Sequence, residues 1–257
     1  MSEIILTGAD VPLILSSTEL FDGGRVEEYL ESIKQDLPLS PDWFGCTTAT
    51  ASFIAREALG IKESPERIDA AVGRQPGTAS AGFKIAQWLF LHGLSADFYI
   101  GARHPFDDSQ DSFAHEKISI EELISEYENY YGPVSNNYLK VFTDYYDNDV
   151  KPFILKRDEI LKPSRDSGKI KEYEVASFDE VVLQQVFKHN VYVYAEVMSD
   201  GAASSHAVCL YRPESGFPLL VFTPDEDVST VKLVGRDLLT DVFHANAVIG
   251  AWRACDD

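Results

Sequence analysis

The sequence predicts an α+β protein whose helices come first and whose strands come later. Apolar residues recur at helical spacing through much of the first 150 positions, and from about residue 170 the apolar period falls from 3.6 to 2. Two capping boxes, Ser119-Ile120-Glu121-Glu122 and Ser177-Phe178-Asp179-Glu180, mark helix starts on either side of that change. A run of helices followed by a run of strands is the α+β order. With 257 residues, 45% of them hydrophobic and 25% charged, the chain has ordinary globular composition and can bury a sizeable core, as one large domain or two small ones.

Val26 to Ile33 carries apolar residues at helical spacing, and Leu37-Pro38-Leu39-Ser40-Pro41 then forces an extended or turning chain. Cys46 to Leu59 reads as the next helix, with Phe53, Ile54 and Leu59 as core candidates and Gly60 as C-cap. Ser64-Pro65-Glu66 supplies an N-cap, a proline at the first helical position and an acidic first turn, for a short helix to Val72. After Gly73 to Gly77 a helix carries Phe83, Ile85, Ala86, Trp88, Leu89 and Phe90 and ends near His92-Gly93, and a strand follows over Ala96 to Ile100. Arg103 to Phe113 lacks periodicity and reads as a loop. Ser119 opens a helix through Leu123, Ile124 and Tyr127, and Ser135 to Tyr146 forms a second, the pair turning at Gly132-Pro133. Glu172 to Ala176 is a strand, and the second capping box opens a helix through Val181, Leu183, Val186 and Phe187. Strands are then expected over Val191 to Met198, Ser205 to Tyr211, Phe217 to Phe222, Val228 to Leu233 and Ala245 to Ala251, with a helix at Arg236 to Phe243.

Charge and cysteine usage narrow the function classes. Twenty-two Lys and Arg stand against 42 Asp and Glu, a net charge of −20, and such a surface would be repelled by nucleic-acid phosphates. No apolar run approaches the roughly 18 residues of a membrane span, and Met1 to Asp10 lacks the basic and apolar regions of a secretory signal. Cys46, Cys209 and Cys255 are too widely spread for a zinc knuckle and odd in number for a disulfide framework. The expectation is a cytoplasmic protein with no membrane or nucleic-acid partner.

The segment that says most about chemistry is Asp42-Trp43-Phe44-Gly45-Cys46-Thr47-Thr48-Ala49-Thr50-Ala51-Ser52. A cysteine at a predicted helix start sits at the positive end of the helix dipole, where its pKa falls and thiolate accumulates. Alone, such a cysteine reads first as a small buried hydrophobe. A nucleophilic thiol needs a base that is distant in sequence and near in space. Of the six histidines His206 fits best, because Ser204-Ser205-His206-Ala207-Val208-Cys209-Leu210-Tyr211 passes from a polar entry into an apolar strand. The two-residue period puts Val208 on the side of His206 and Cys209 on the other, core-facing side. An ordinary strand-end histidine bonded to backbone is the plainer reading of His206 alone. Asp225 lies 19 positions further on, where an adjacent antiparallel strand would bring it beside the imidazole. Within Asp225-Glu226-Asp227 it also reads as part of a solvated turn. The order Cys, His, Asp across the helix-to-sheet change lets three weak signals support one another.

At this point the chain resembles a family. Cys46 opening a helix, Gly77-Thr78-Ala79-Ser80-Ala81-Gly82-Phe83 leading to His92-Gly93-Leu94, the helix before Val191 to Val197, His206-Ala207-Val208, and the strand ending Thr223-Pro224 together resemble the bacteriocin-leader-peptidase-like branch of the papain-like cysteine peptidases, across residues 38 to 251. The resemblance implies a single papain-like domain over 1–257 with two lobes, mainly helical over 1–150 and an antiparallel sheet over 170–257, and an active site in the cleft between. It implies Cys46 as nucleophile, His206 as general base and acid, and Asp225 or Thr223 as the orienting group, acting through an acyl-enzyme thioester with no cofactor or metal. Relatives commonly carry a glutamine six residues before the nucleophile as an oxyanion donor, and here Ser40 holds that position, with the Cys46 backbone N–H beside it. The family's Cys-Gly-Pro becomes Cys46-Thr47-Thr48, and its Asp-Pro strand end becomes Thr223-Pro224-Asp225. Thr223 would give the imidazole a neutral partner, whereas Asp225 requires a two-residue shift that keeps the same strand face.

Three functions fit these residues: a peptidase or amidase on a peptide or amide substrate, for which the acidic surface favours a cationic one; an acyltransferase using the same thioester; and a catalytically silent domain that binds a peptide or protein. Other constellations are weaker. Asp144-Tyr145-Tyr146-Asp147-Asn148-Asp149 lacks the glycine and glutamate of a calcium loop and reads as a solvated helix end. His92, His104 and His115 have no metal-ligand spacing, Tyr127 to Tyr146 reads as a packed hairpin with wet phenol tips, and Gly73-Arg74-Gln75-Pro76-Gly77 has no phosphate-loop lysine.

Overall fold

The computed structural model of the chain describes residues 23–77, 82–101, 166–175, 190–198, 205–214, 217–234 and 249–255, with single residues or pairs at some positions between 121 and 187. The expected loop at 103–113, the hairpin of 119–146, the acidic stretch 144–149, most of the helix from 177 and the helix at 236–243 fall largely outside the described residues.

Helix α1 spans Gly23–Ile33, α2 Cys46–Leu59, α3 Pro65–Val72 and α4 Gly82–Leu91. The ends of α2 and α3 follow from local chemistry. Gly60 takes φ 70° and donates its N–H to the Arg56 carbonyl, and Gly73 takes φ 74° and closes α3. Only glycine enters that left-handed region without a steric penalty. Ser64 holds the N-cap position in extended backbone, but its carbonyl accepts the Arg67 and Ile68 N–H groups while its hydroxyl makes no cap bond.

The strands are β1 Leu94–Gly101, β2 Ile170–Val175, β3 Tyr192–Met198, β4 Ser205–Tyr211, β5 Leu220–Thr223, β6 Thr230–Leu233 and β7 Ile249–Ala254, ordered β2-β1-β7-β3-β4-β5-β6 in one sheet. This corrects the expected antiparallel sheet, which is mixed. β1 and β2 run parallel from Ala96↔Ile170 to Gly101↔Val175, while the other pairings are antiparallel. A period of two reveals a strand but not its direction, and the long segment between β1 and β2 is ample for the crossover that parallel pairing requires. β1 also draws part of the mainly helical half into this sheet.

Alternation along the strands divides the core into two layers. Cys209 and Tyr211 of β4, with Leu220 and Phe222 of β5, face Phe53, Ile54 and Ala55 of α2 and Ile85 and Leu89 of α4. Val208, Leu210, Val193, Ala195 and Val221 face the other way, with Val186 and Phe187 in their layer. Phe53 lies at the centre of the first layer, fully buried, its ring stacked on Phe222 at 4.2 Å and edge-on to Tyr211 at 5.0 Å. This packing lays α2 along β4 and brings its first turn to the beginning of that strand. Among the described residues no helix is long and apolar enough to cross a membrane.

Candidate active site

Cys46 is the first residue of α2, as its sequence context predicts, and Gly45 before it makes no side-chain cap bond. The glycine is required by space rather than by backbone angle. Its φ is −88°, but a methyl group there would lie 2.4 Å from Pro41 Cδ, 2.6 Å from Pro41 Cγ and 3.0 Å from Ser40 Oγ. The loop from Pro41 to Gly45 therefore folds tightly onto itself, with the Gly45 N–H on the Asp42 carbonyl at 3.0 Å, and delivers the chain into α2.

The thiol meets β4 where β4 and β5 part. Their last bridged pair is Cys209↔Phe222. Beyond it the Ala207 N–H donates to Cys46 Sγ at 3.5 Å, and the Ala207 carbonyl accepts from Thr50 Oγ1 at 3.2 Å. The first turns of α2 thus satisfy backbone groups at a point where β5 is no longer bridged to β4. Strand alternation turns Ala207 toward α2 and groups His206 with Val208, so the sulfur reaches the strand at the peptide joining residues 206 and 207.

Continuing the β4–β5 register past its last bridge places His206 opposite Asp225. The imidazole is hydrogen-bonded to the backbone of Pro224, which offers only a carbonyl, and lies in the field of the Asp225 carboxylate. Burial dominates and holds its pKa below the ordinary histidine value, while the Pro224 carbonyl and Asp225 oppose that shift. A ring nitrogen donating to Pro224 leaves the other as the basic atom. Of the two sequence candidates for orienting group, Asp225 contributes charge and Thr223 is paired with Thr230 in the β5–β6 ladder, while the contact comes from Pro224, which was not a candidate. The Asp225 carboxylate also accepts the Asp227 N–H at 3.0 Å, so its turn-like setting and its place beside the histidine coexist.

Ser40 is buried, and its hydroxyl donates to the Asp42 carbonyl at 2.6 Å. A hydroxyl has one proton, so this bond leaves Ser40 none for an oxyanion. Its N–H donates to the Asp225 carbonyl at 2.8 Å, and the Pro38 carbonyl accepts from Ser229 Oγ at 2.6 Å. Ser40 therefore ties the cysteine-bearing loop to the loop that faces His206.

Three residues with no role assigned from sequence, Asp42, Asp69 and Arg74, lie beside the cysteine-bearing loop. Arg74, with its side chain 2% exposed, donates Nε and Nη2 to Asp69 at 2.6 Å each, and Nη1 and Nη2 to Asp42 at 3.0 and 3.1 Å. Asp42 Oδ1 also accepts the Phe44 N–H and Oδ2 the Gly77 N–H, both at 2.9 Å. Burial alone would raise the Asp42 pKa, but the Arg74 bonds and charge, with the Gly77 and Phe44 amides, outweigh it and hold the carboxyl below its usual value. The signal was a buried-type pairing of Asp42 with an arginine 32 positions away, which no local pattern announces.

Cys209 is fully buried and its thiol is pushed well up by burial, so it is no competitor as a nucleophile. Among the described residues no group of three or more His, Cys, Asp or Glu side chains is arranged to hold a metal ion. No protein-family model, no curated protein and no solved structure matches this chain.

Proposed function

We propose that this chain is a cysteine-dependent hydrolase of papain-like type, with a two-lobed fold, acting on a peptide or amide substrate through a thioester. The observation that carries this reading is the Cys46 sulfur, at the start of a helix, on the peptide next to His206, whose ring is held by Pro224 and faces Asp225. In this reading the neutral imidazole takes the Cys46 proton, and the thiolate attacks the substrate carbonyl. Imidazolium then protonates the departing amine. The resulting thioester is cleaved by water, which His206 activates, returning the thiol. The Cys46 N–H is the oxyanion donor, with Ser40 holding the loop rather than stabilising charge. Net charge of −20 favours a cationic substrate. Transfer of the acyl group to an amine instead of water uses the same residues.

The Ser40 hydroxyl bond to Asp42 supports a second reading, a catalytically silent domain that binds a peptide. Alkylation by iodoacetamide across pH, followed by peptide mapping to separate Cys46 from Cys255, distinguishes the two. The hydrolase reading expects Cys46 to react at pH 6 at least about tenfold faster than in His206→Ala, because an ordinary thiol titrates near 8.5. An ordinary thiol profile, indifferent to that substitution, leaves only the binding domain.

A further inference from the structure

We propose that the Asp69–Arg74–Asp42 chain is a positioning device for Cys46, fixing the 41–45 loop so that the sulfur stays on the Ala207 N–H; the proposal rests on the reading of Cys46 as a nucleophile. Arg74 follows α3, and among the described contacts it reaches the 41–45 loop through Asp42. Both Asp42 oxygens are engaged from two directions, by the guanidinium fork and by the Phe44 and Gly77 amides. The Asp42 carbonyl in turn accepts from Ser40 Oγ and the Gly45 N–H, so fixing Asp42 fixes the turn that ends at the first residue of α2.

Stability alone explains this cluster poorly. Taking the arginine and most of two carboxylates out of water, with Asp42 still 25% exposed, costs much of what their attraction returns, and apolar packing of similar volume often stabilises as well. A planar fork adds geometry, since two parallel N–H···O bonds fix the direction as well as the distance of each carboxylate. Arg74 is already aimed by Asp69 at 2.6 Å before it reaches Asp42, which makes Asp69 the anchor and Asp42 the positioned group. On the opposite side the same loop is latched by the Ser40 N–H on Asp225 and by Ser229 on Pro38. Cys46 thus leaves a loop held at both ends, one end tied to the segment beside His206.

Arg74→Lys keeps the charge but loses the fork, and Asp42→Asn keeps the shape but turns a donor toward Gly77 or Arg74. Each full-length variant is compared with the wild type by the pH profile of Cys46 alkylation, by amide exchange over residues 41–46 and 206–208, and by melting temperature. The expected result is an alkylation profile displaced to higher pH, about tenfold slower at pH 6, with faster exchange in both segments. A lower melting temperature with an unchanged profile and unchanged exchange would overturn the proposal, because a merely structural ion pair moves only the first. If the wild-type thiol is ordinary and indifferent to His206→Ala, the hydrolase reading fails separately, and exchange over 41–46 and 206–208 in Arg74→Lys still decides whether the clamp holds the loop.

Discussion

Replacing Gly45 with alanine perturbs the site by one methyl group at a known place. The added carbon would stand 2.4 and 2.6 Å from two carbons of the Pro41 ring, about 1 Å inside ordinary contact, and a proline ring cannot swing aside as a long side chain can. Overpacking of this kind costs about 1–3 kcal/mol, roughly 2–4 °C per kcal/mol for a chain of this size. The chain must yield either at Pro41, which carries the Ser40 latch with it, or at Cys46, which lifts the sulfur from the Ala207 amide. Either displacement approaches the 1 Å that typically costs about a hundredfold in reaction rate. Gly60→Ala is the control. It meets nothing within 4 Å but has φ 70°, so it should cost about 1–2 kcal/mol by backbone conformation while leaving the thiol in place. Thermal melts and Cys46 alkylation rates at pH 6 read the two effects apart. A Gly45→Ala protein as stable and as reactive as the wild type would refute the packing described for this loop, and so would a Gly60→Ala protein with equal loss of thiol reactivity.

Phe53→Ala removes a fully buried ring stacked on Phe222 and edge-on to Tyr211, and denaturant melts should show a loss of about 3–5 kcal/mol. A loss below about 1 kcal/mol would mean that α2 does not pack on β4 and β5 as described. His206 contributes to acid sensitivity with a definite sign. Its folded pKa lies below the unfolded value near 6.5, so its contribution is intact above that pH, and as pH falls the unfolded chain takes up the proton first. Stability should therefore decline below about pH 6.5, by at most ~1.4 kcal/mol per pH unit from this group, and His206→Gln should flatten that part of the curve. A steeper decline in the variant would contradict the burial of the ring.

Much of the fold was legible wherever a local rule decides it. α2 begins at Cys46 and ends at Leu59 because a tight turn enters it and a left-handed glycine leaves it, and α3 is bounded by Pro65 and Gly73 for similar reasons. β4 was readable over Ser205 to Tyr211 by alternation, which also separated Val208 from Cys209. Phe217 and Leu219 are buried as their apolar character suggests, yet bridging begins only at Leu220, because burial and ladder pairing are different conditions. Strand direction was not legible, and neither was the entry of β1 into the main sheet, since both depend on partners chosen by the whole chain. At the site, the placement of Cys46, His206 and Asp225 follows from helix start, strand end and register. The Pro224 carbonyl, the internal bond of Ser40 and the Arg74 clamp could not be read, because backbone acceptors and long-range ion pairs leave no periodic trace.

A crystal structure of the untreated protein measures what matters most, the distance from Cys46 Sγ to the nearer ring nitrogen of His206. The proposed chemistry predicts a separation on the order of 3.5–4 Å in the fork between β4 and Pro224, with the other nitrogen on the Pro224 carbonyl. A sulfur well beyond hydrogen-bond reach of both ring nitrogens would contradict it.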